Sequence, residues 1–241
     1  MTAEAPVATP STGEVHQPRR GARSARQAQR STIVEPMLPT LRRRLPVVDP
    51  MTEEQVHKID RASMAILEEV GIVFRDPIAL RDWKQAGAKV DGERVYLDRS
   101  HVRELISTLP SEIRYHARNP ANNVEIGGPN SVFVPMTGAP FLRDLDDVRR
   151  SPLMEDLSMF HKLAHMSPAL HSTAHHIVEP MDLPVPYRHL HITYSSMKYS
   201  DKMFMGMTTS GKNAEDVMRM CEILFGKDYL DNHAVTTGNV N

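Results

Sequence analysis

The chain has 241 residues, 40% of them hydrophobic and 24% charged, and 29 basic side chains nearly balance 30 acidic ones. That balance excludes electrostatic capture of nucleic acid or of an anionic membrane as the organising function, and the length suits one large domain with extensions. No run approaches the roughly 18 apolar residues that span a membrane and no secretory segment is evident, so the expectation is a soluble, cytoplasmic protein. The lone cysteine, Cys221, excludes an intrachain disulfide and a thiolate-rich metal site.

Charge is uneven along the chain. Residues 1–46 hold eight arginines, no lysine and three acids, with much Ala, Pro, Ser and Gln and no sustained apolar period. Such a segment buries too little surface to offset its ordering entropy and reads as a disordered tail. An RNA-binding arm or an Arg-rich transit peptide is the alternative. The arginines, however, are interrupted by Glu14, Gly21 and Gln27 and lack interleaved aromatics.

From residue 47 to 150 the pattern predicts a helical and small β extension. Thr52 with Gln55 forms a capping box, and Val56, Ile59, Ile66 and Val70 recur at helical spacing up to Gly71. Asp76-Pro77 opens a second helix that stops at Gly87, and Ser100 opens a third that Pro110 closes. Short β-like runs follow at 113–116, 124–126, 132–134 and 141–145, separated by Gly127-Gly128, Pro129 and Gly138.

Beyond residue 150 strands and helices alternate. Ser151-Pro152 starts a helix to about Met166, the run 171–178 reads as a strand, a helix spans about 186–199, and a strand covers 203–208. A helix over 214–225 ends at Gly226, and a last run covers 234–240. Alternation with connections of this length indicates parallel βαβ units and an α/β class. The pattern stops within a unit, so residues 151–241 read as a truncated system whose last run is an unpaired apolar edge.

Five segments carry a family resemblance: Ala65-Ile-Leu-Glu-Glu-Val-Gly71; Gly138-Ala-Pro-Phe with Asp144-Leu-Asp146; Val178-Glu-Pro-Met-Asp182 leading to Arg188-His-Leu190; Asp201-Lys-Met-Phe-Met-Gly206 with Ala214-Glu-Asp216 and Glu222-Ile-Leu-Phe-Gly226; and Gly238-Asn-Val-Asn241. In this order they resemble the trimethylamine methyltransferase family over about residues 50–241, its N-terminal half. The resemblance implies the first units of a TIM-type (β/α)8 barrel, behind the helical and β extension. It also implies transfer of a methyl group from a tertiary or quaternary amine, of trimethylamine or glycine-betaine type, to a corrinoid (cobalamin) carried by a separate partner protein. No cofactor is then bound directly, and the complete protein is expected to be a homo-oligomer. Trimethylamine enzymes of the family carry pyrrolysine in the later half of the barrel, and pyrrolysine-free relatives act on substrates such as glycine betaine. A fragment of this length is expected to be inactive alone.

In a parallel barrel the reacting groups lie past the C-terminal ends of the strands. That rule selects His175, His176 and Glu179 after the first strand, Met205 to Thr208 after the second, and Thr237, Asn239 and Asn241 at the third. A fixed ammonium needs a carboxylate or aromatic face and protection from water. Glu179 is the acidic candidate, and the competing role for it is pairing with Arg188. No residue is assigned as catalytic.

Seven of the twelve histidines fall between His161 and His191, which raises a zinc-dependent hydrolase as an alternative. His161 and His165 stand four apart on a helix but without the glutamate of a metalloprotease motif. His171 and His175, four apart on a strand, lie about 13 Å from one another. The spacing favours packing and surface roles and no bound metal, and it sets His175 and His176 on opposite faces of a regular strand. Met197, Met203, Met205, Met207, Met218 and Met220 read as core filler, and Cys221 as packing. A non-catalytic remnant or binding protein is the remaining alternative.

Overall fold

The computed structural model describes residues 37–238. Strand β1 (Leu41–Arg42) pairs antiparallel with β7 (Asn130–Ser131), and Leu38 N donates to Pro168 O at 2.8 Å. The expected tail over 1–46 therefore lies outside the described residues only as far as residue 36. From 37 the backbone is hydrogen-bonded to the folded chain, which an arginine-rich composition does not reveal.

Thr52 caps helix α1 (Glu53–Ala65): its Oγ1 accepts from Gln55 N at 3.3 Å while Gln55 Oε1 accepts from Thr52 N at 2.9 Å. The helix continues as one π-turn over Ile66–Val70 and ends at Gly71. Glycine is required there, since φ is 71° and a Cβ would sit 2.6 Å from Val95 O. Helix α2 (Pro77–Gln85) has Asp76 as its cap.

Three of the strands that escape the sequence reading form one sheet. They are β2 (Ile72–Val73), β3 (Lys89–Asp91) and β4 (Arg94–Tyr96), an antiparallel sheet in the order β2-β4-β3 with Val95 fully buried at its centre. Each has two or three residues, too few to show a period of two. Helix α3 (Arg99–Ser107) is capped by Asp98, whose carboxylate accepts from Ser100 N at 2.8 Å, and not by Ser100 as expected.

Strand β5 (Glu112–Tyr115) pairs with β6 (Val124–Gly127), and β8 (Leu142–Arg143) with β9 (Arg149–Arg150), both antiparallel. The expected strand at 132–134 is absent; residues 132–139 run as an irregular strap.

Helix α4 (Met154–Met166) starts at Leu153, whose N–H donates to Asp156 at 2.8 Å; Ser151-Pro152 lies just outside it. Asp156 also takes both terminal nitrogens of Arg150 at 2.7 Å, tying β9 to the helix. Helix α5 spans Val185–Tyr199, followed by β10 (Phe204–Met205), α6 (Gly211–Phe225), the short α7 (Lys227–Leu230) and β11 (Thr236–Thr237).

Strand β10 and β11 are parallel, and a parallel bridge joins Ser172 to Met203 on the other side. The order 172, β10, β11, with α5 and α6 as crossovers, is the βαβ arrangement expected, in a mixed α/β chain of small sheets. The last run is not bare at its start: Ala234 bridges Tyr115, and its O accepts from His116 N at 2.8 Å.

Two apolar clusters hold these units. Phe204, Val217, Cys221 and Val235 pack β10 and the stretch before β11 under α6, and Leu157, Val178 and Ile192 join α4 and α5 to the first strand position. Leu157 and Ile192 are fully buried, each worth about 1.5–3 kcal/mol of transfer free energy. Among the described residues no helix is long and apolar enough to cross a membrane.

Candidate functional site

The run 171–178 is extended but is not a regular strand. Ala174 has φ of 56°, a left-handed conformation that breaks the alternation of side chains. The opposite-face expectation for His175 and His176 is corrected accordingly. Their rings lie side by side with centroids 4.1 Å apart, and their Nδ1 atoms meet. His175 Nδ1 accepts from His176 N at 2.8 Å, which places the His175 ring proton on Nε2.

His176 Nε2 lies 3.3 Å from Glu179 Oε2, and Arg188 Nη1 lies 2.5 Å from Glu179 Oε1. Arg188 comes from the first turns of α5 and also donates to Leu183 O at 2.9 Å. The sequence reading held Arg188 as an alternative partner of Glu179, and the pair is formed. Both carboxylate oxygens are engaged, yet each keeps acceptor capacity for a cation. Burial holds the His175 imidazole down to about 4, with His176 adding to the effect, and burial lowers His176 against the pull of Glu179. The cluster at neutral pH is two uncharged imidazoles beside a balanced ion pair.

The strap from the extension lies along this segment. Gly138 N donates to His176 O at 2.8 Å and Glu179 N to Ala139 O at 3.0 Å. The neighbouring strand ends are in register: Met205 N donates to Ala174 O at 3.2 Å, and Gly206 N to Thr237 O at 2.8 Å. Thr208 lies against Gly238, where a Cβ would fall 2.3 Å from Thr208 Oγ1, a buried hydroxyl without a partner among the described residues. Ala174, Met205 and Thr237 thus bring His175, His176, Glu179, Met205 and Thr208 to one end of the parallel strands. Asn239 and Asn241 lie outside the described residues.

Four of the other five histidines between 161 and 191 have partners of their own. His161 faces Ser195 and the His175 carbonyl; His165 faces Asp201; His171 accepts from Phe133 N; His189 meets Asp216 at 3.0 Å. Among the described residues no group of three or more His, Cys, Asp or Glu side chains is placed to hold a metal ion. The zinc-hydrolase alternative finds no ligand set there. Cys221 is buried, its thiol pushed up to about 12 by desolvation, as a packing residue would be. Sequence reasoning missed His161 as part of this neighbourhood, because nothing local marks its partners 14 and 34 residues away.

Parallel βαβ units with a polar cluster at the strand ends define an α/β protein. The family described as trimethylamine methyltransferase (MTTB) matches residues 19–241, and the chain belongs to it. It is 44% identical over 198 residues to the glycine betaine methyltransferase of Desulfitobacterium hafniense (strain Y51), covering 82% of this chain and 41% of that protein. It is 24% identical over 123 residues to the L-carnitine:corrinoid methyltransferase of Eubacterium limosum, covering 51% of this chain and 25% of that one. It is 27% identical over 85 residues to the trimethylamine methyltransferase MttB of Desulfitobacterium hafniense (strain DSM 10664 / DCB-2), covering 34% and 17%. The chain spans less than half the length of each of these relatives.

Proposed function

We propose that this chain is the N-terminal part of a methyltransferase that takes a methyl group from a quaternary amine of the glycine-betaine type and passes it to a corrinoid carried by a partner protein. The observation that carries the reading is the 44% identity to a glycine betaine methyltransferase over 82% of the chain, within a family match that spans residues 19–241. The proposed site is the strand-end face of His175, His176, Glu179, Met205 and Thr208; the sequence adds Asn239 and Asn241 as candidates. The first strand units of a TIM-type barrel, preceded by the extension, form its frame.

In this reading the C–N bond to one methyl group breaks, the nitrogen keeps the electron pair, and the corrinoid supplies the nucleophile when the partner is docked. This chain's residues bind, orient and desolvate. Glu179, fixed by Arg188, faces the ammonium; the neutral imidazoles add no repelling charge; the strap and strand ends exclude water. A zwitterionic substrate suits a cluster whose own charges balance, and for that reason glycine betaine is preferred over trimethylamine.

The test uses the complete natural reading frame containing these residues, with reduced corrinoid protein and either amine. Dimethylglycine formed from glycine betaine, one per methyl group transferred and faster than any dimethylamine from trimethylamine, is the expected result. Saturable binding of glycine betaine without demethylation would instead support a non-catalytic binding protein.

A further inference from the structure

We infer that His161, which belongs to no substrate-facing set, is a positioning residue for the strand-end site: it holds the left-handed turn at Ala174 that sets the His175 and His176 rings side by side. The inference rests on the reading of that face as the amine site.

His161 is fully buried on α4. Its Nε2 lies 3.2 Å from the His175 carbonyl oxygen, which can only accept, so the ring proton is on Nε2. Nδ1 is then an acceptor, and Ser195 Oγ donates to it at 2.9 Å from α5. Ser196 Oγ stands 3.3 Å from Nε2, and Ser158 Oγ 3.2 Å from Ser195 Oγ. One tautomer of one imidazole thus links α4, α5 and the backbone immediately before His176.

That backbone needs holding. An alanine with φ of 56° is unfavourable by about 1–2 kcal/mol relative to an ordinary conformation, and an extended alternative would separate the two rings. Three contacts oppose the relaxation: Ala174 N to Ser172 Oγ at 2.9 Å, Met205 N to Ala174 O at 3.2 Å, and His161 Nε2 to His175 O. The first two fix Ala174 on the strand side. Of these three, only the third grips His175; His176 is held separately, its carbonyl accepting from Gly138 N at 2.8 Å.

The test compares wild type, His161→Leu, His161→Gln and Ser195→Ala in the complete natural protein. Diethyl pyrocarbonate, read residue by residue by mass spectrometry, reports the accessibility of His175 and His176, with His57 and His191 as exposed references. His161→Leu is expected to raise modification of His175 and His176 at least threefold against the references. His161→Gln, whose amide nitrogen replaces Nε2–H, restores most of the protection, and Ser195→Ala gives an intermediate value that stands in if the leucine variant fails to fold. With glycine betaine as substrate, kcat/KM falls about tenfold or more in the leucine variant and recovers in the glutamine variant. Unchanged reactivity of His175 and His176 in folded His161→Leu or Ser195→Ala overturns the inference. If wild type demethylates nothing while the reactivity pattern holds, the functional reading fails and the positioning role stands.

Discussion

Burial holds the imidazoles of His161 and His175 down to about 4, and both lie where the first strand turns. For His161 the sign is unambiguous. The unfolded chain binds its proton near pH 6.5 and the folded chain only near 4, so stability is full above 6.5 and falls as pH drops toward 4. Over that window the loss from His161 alone reaches about 3 kcal/mol, at about 1.4 kcal/mol per pH unit. Urea denaturation at pH 7, 5.5 and 4.5 should show this decline, and His161→Gln should make it shallower, leaving the share of His175. A slope the same in both proteins would show that His161 does not stay neutral when buried. The sequence made the histidine cluster conspicuous but not this arrangement, because Ala174 has no residue-type signal for a positive φ. Pairing of Glu179 with Arg188 was legible, since nine residues separate them across a loop entering a helix.

At the scale of elements, the helices were readable wherever a cap and a period coincided, as at Thr52, Asp76 and Gly226. The two-residue strands β1, β2, β7 and β9 were not, because their pairing is decided by residues elsewhere in the chain, as with Leu41 and Ser131. The end of α4 shows a similar long-range dependence. Lys202, 5% exposed, reaches back from the turn before β10, and its Nζ donates to Ala164 O at 3.0 Å, Ser167 O at 2.6 Å and Leu170 O at 2.8 Å. Desolvation lowers its pKa, and Asp201 opposes that shift. These carbonyls close the helix and start the approach to the first strand, so a lysine that looks like a surface residue in sequence serves as the cap. Lys202→Met keeps the apolar stem but leaves three carbonyls without their cation. The expected cost is about 2–3 kcal/mol in equilibrium unfolding, well above that of Lys198→Met on the exposed face of α5. Equal small losses for both would remove Lys202 from this role.

For the whole molecule, the α/β class and the parallel βαβ order followed from alternation, and family membership followed from segments in register. The docking of residues 38–43 and the three-stranded sheet of the extension did not, because neither has a local signature long enough to register. The extension nevertheless matters to the site, since Gly138 and Ala139 hydrogen-bond along 176–179 and bring the strap to the strand ends. Two parts of the chain thus meet around one cluster, with Glu179 as its anionic member. The most direct measurement is kcat/KM for glycine betaine of Glu179→Gln against wild type in the complete protein with its corrinoid partner. The substitution keeps the shape and an acceptor for Arg188 while removing the charge proposed to face the ammonium. A fall of at least tenfold, equivalent to about 1.4 kcal/mol of lost transition-state stabilisation, is predicted, with the protein still folded. A Glu179→Gln protein that demethylates glycine betaine at the wild-type kcat/KM would contradict the placement of the amine on this face.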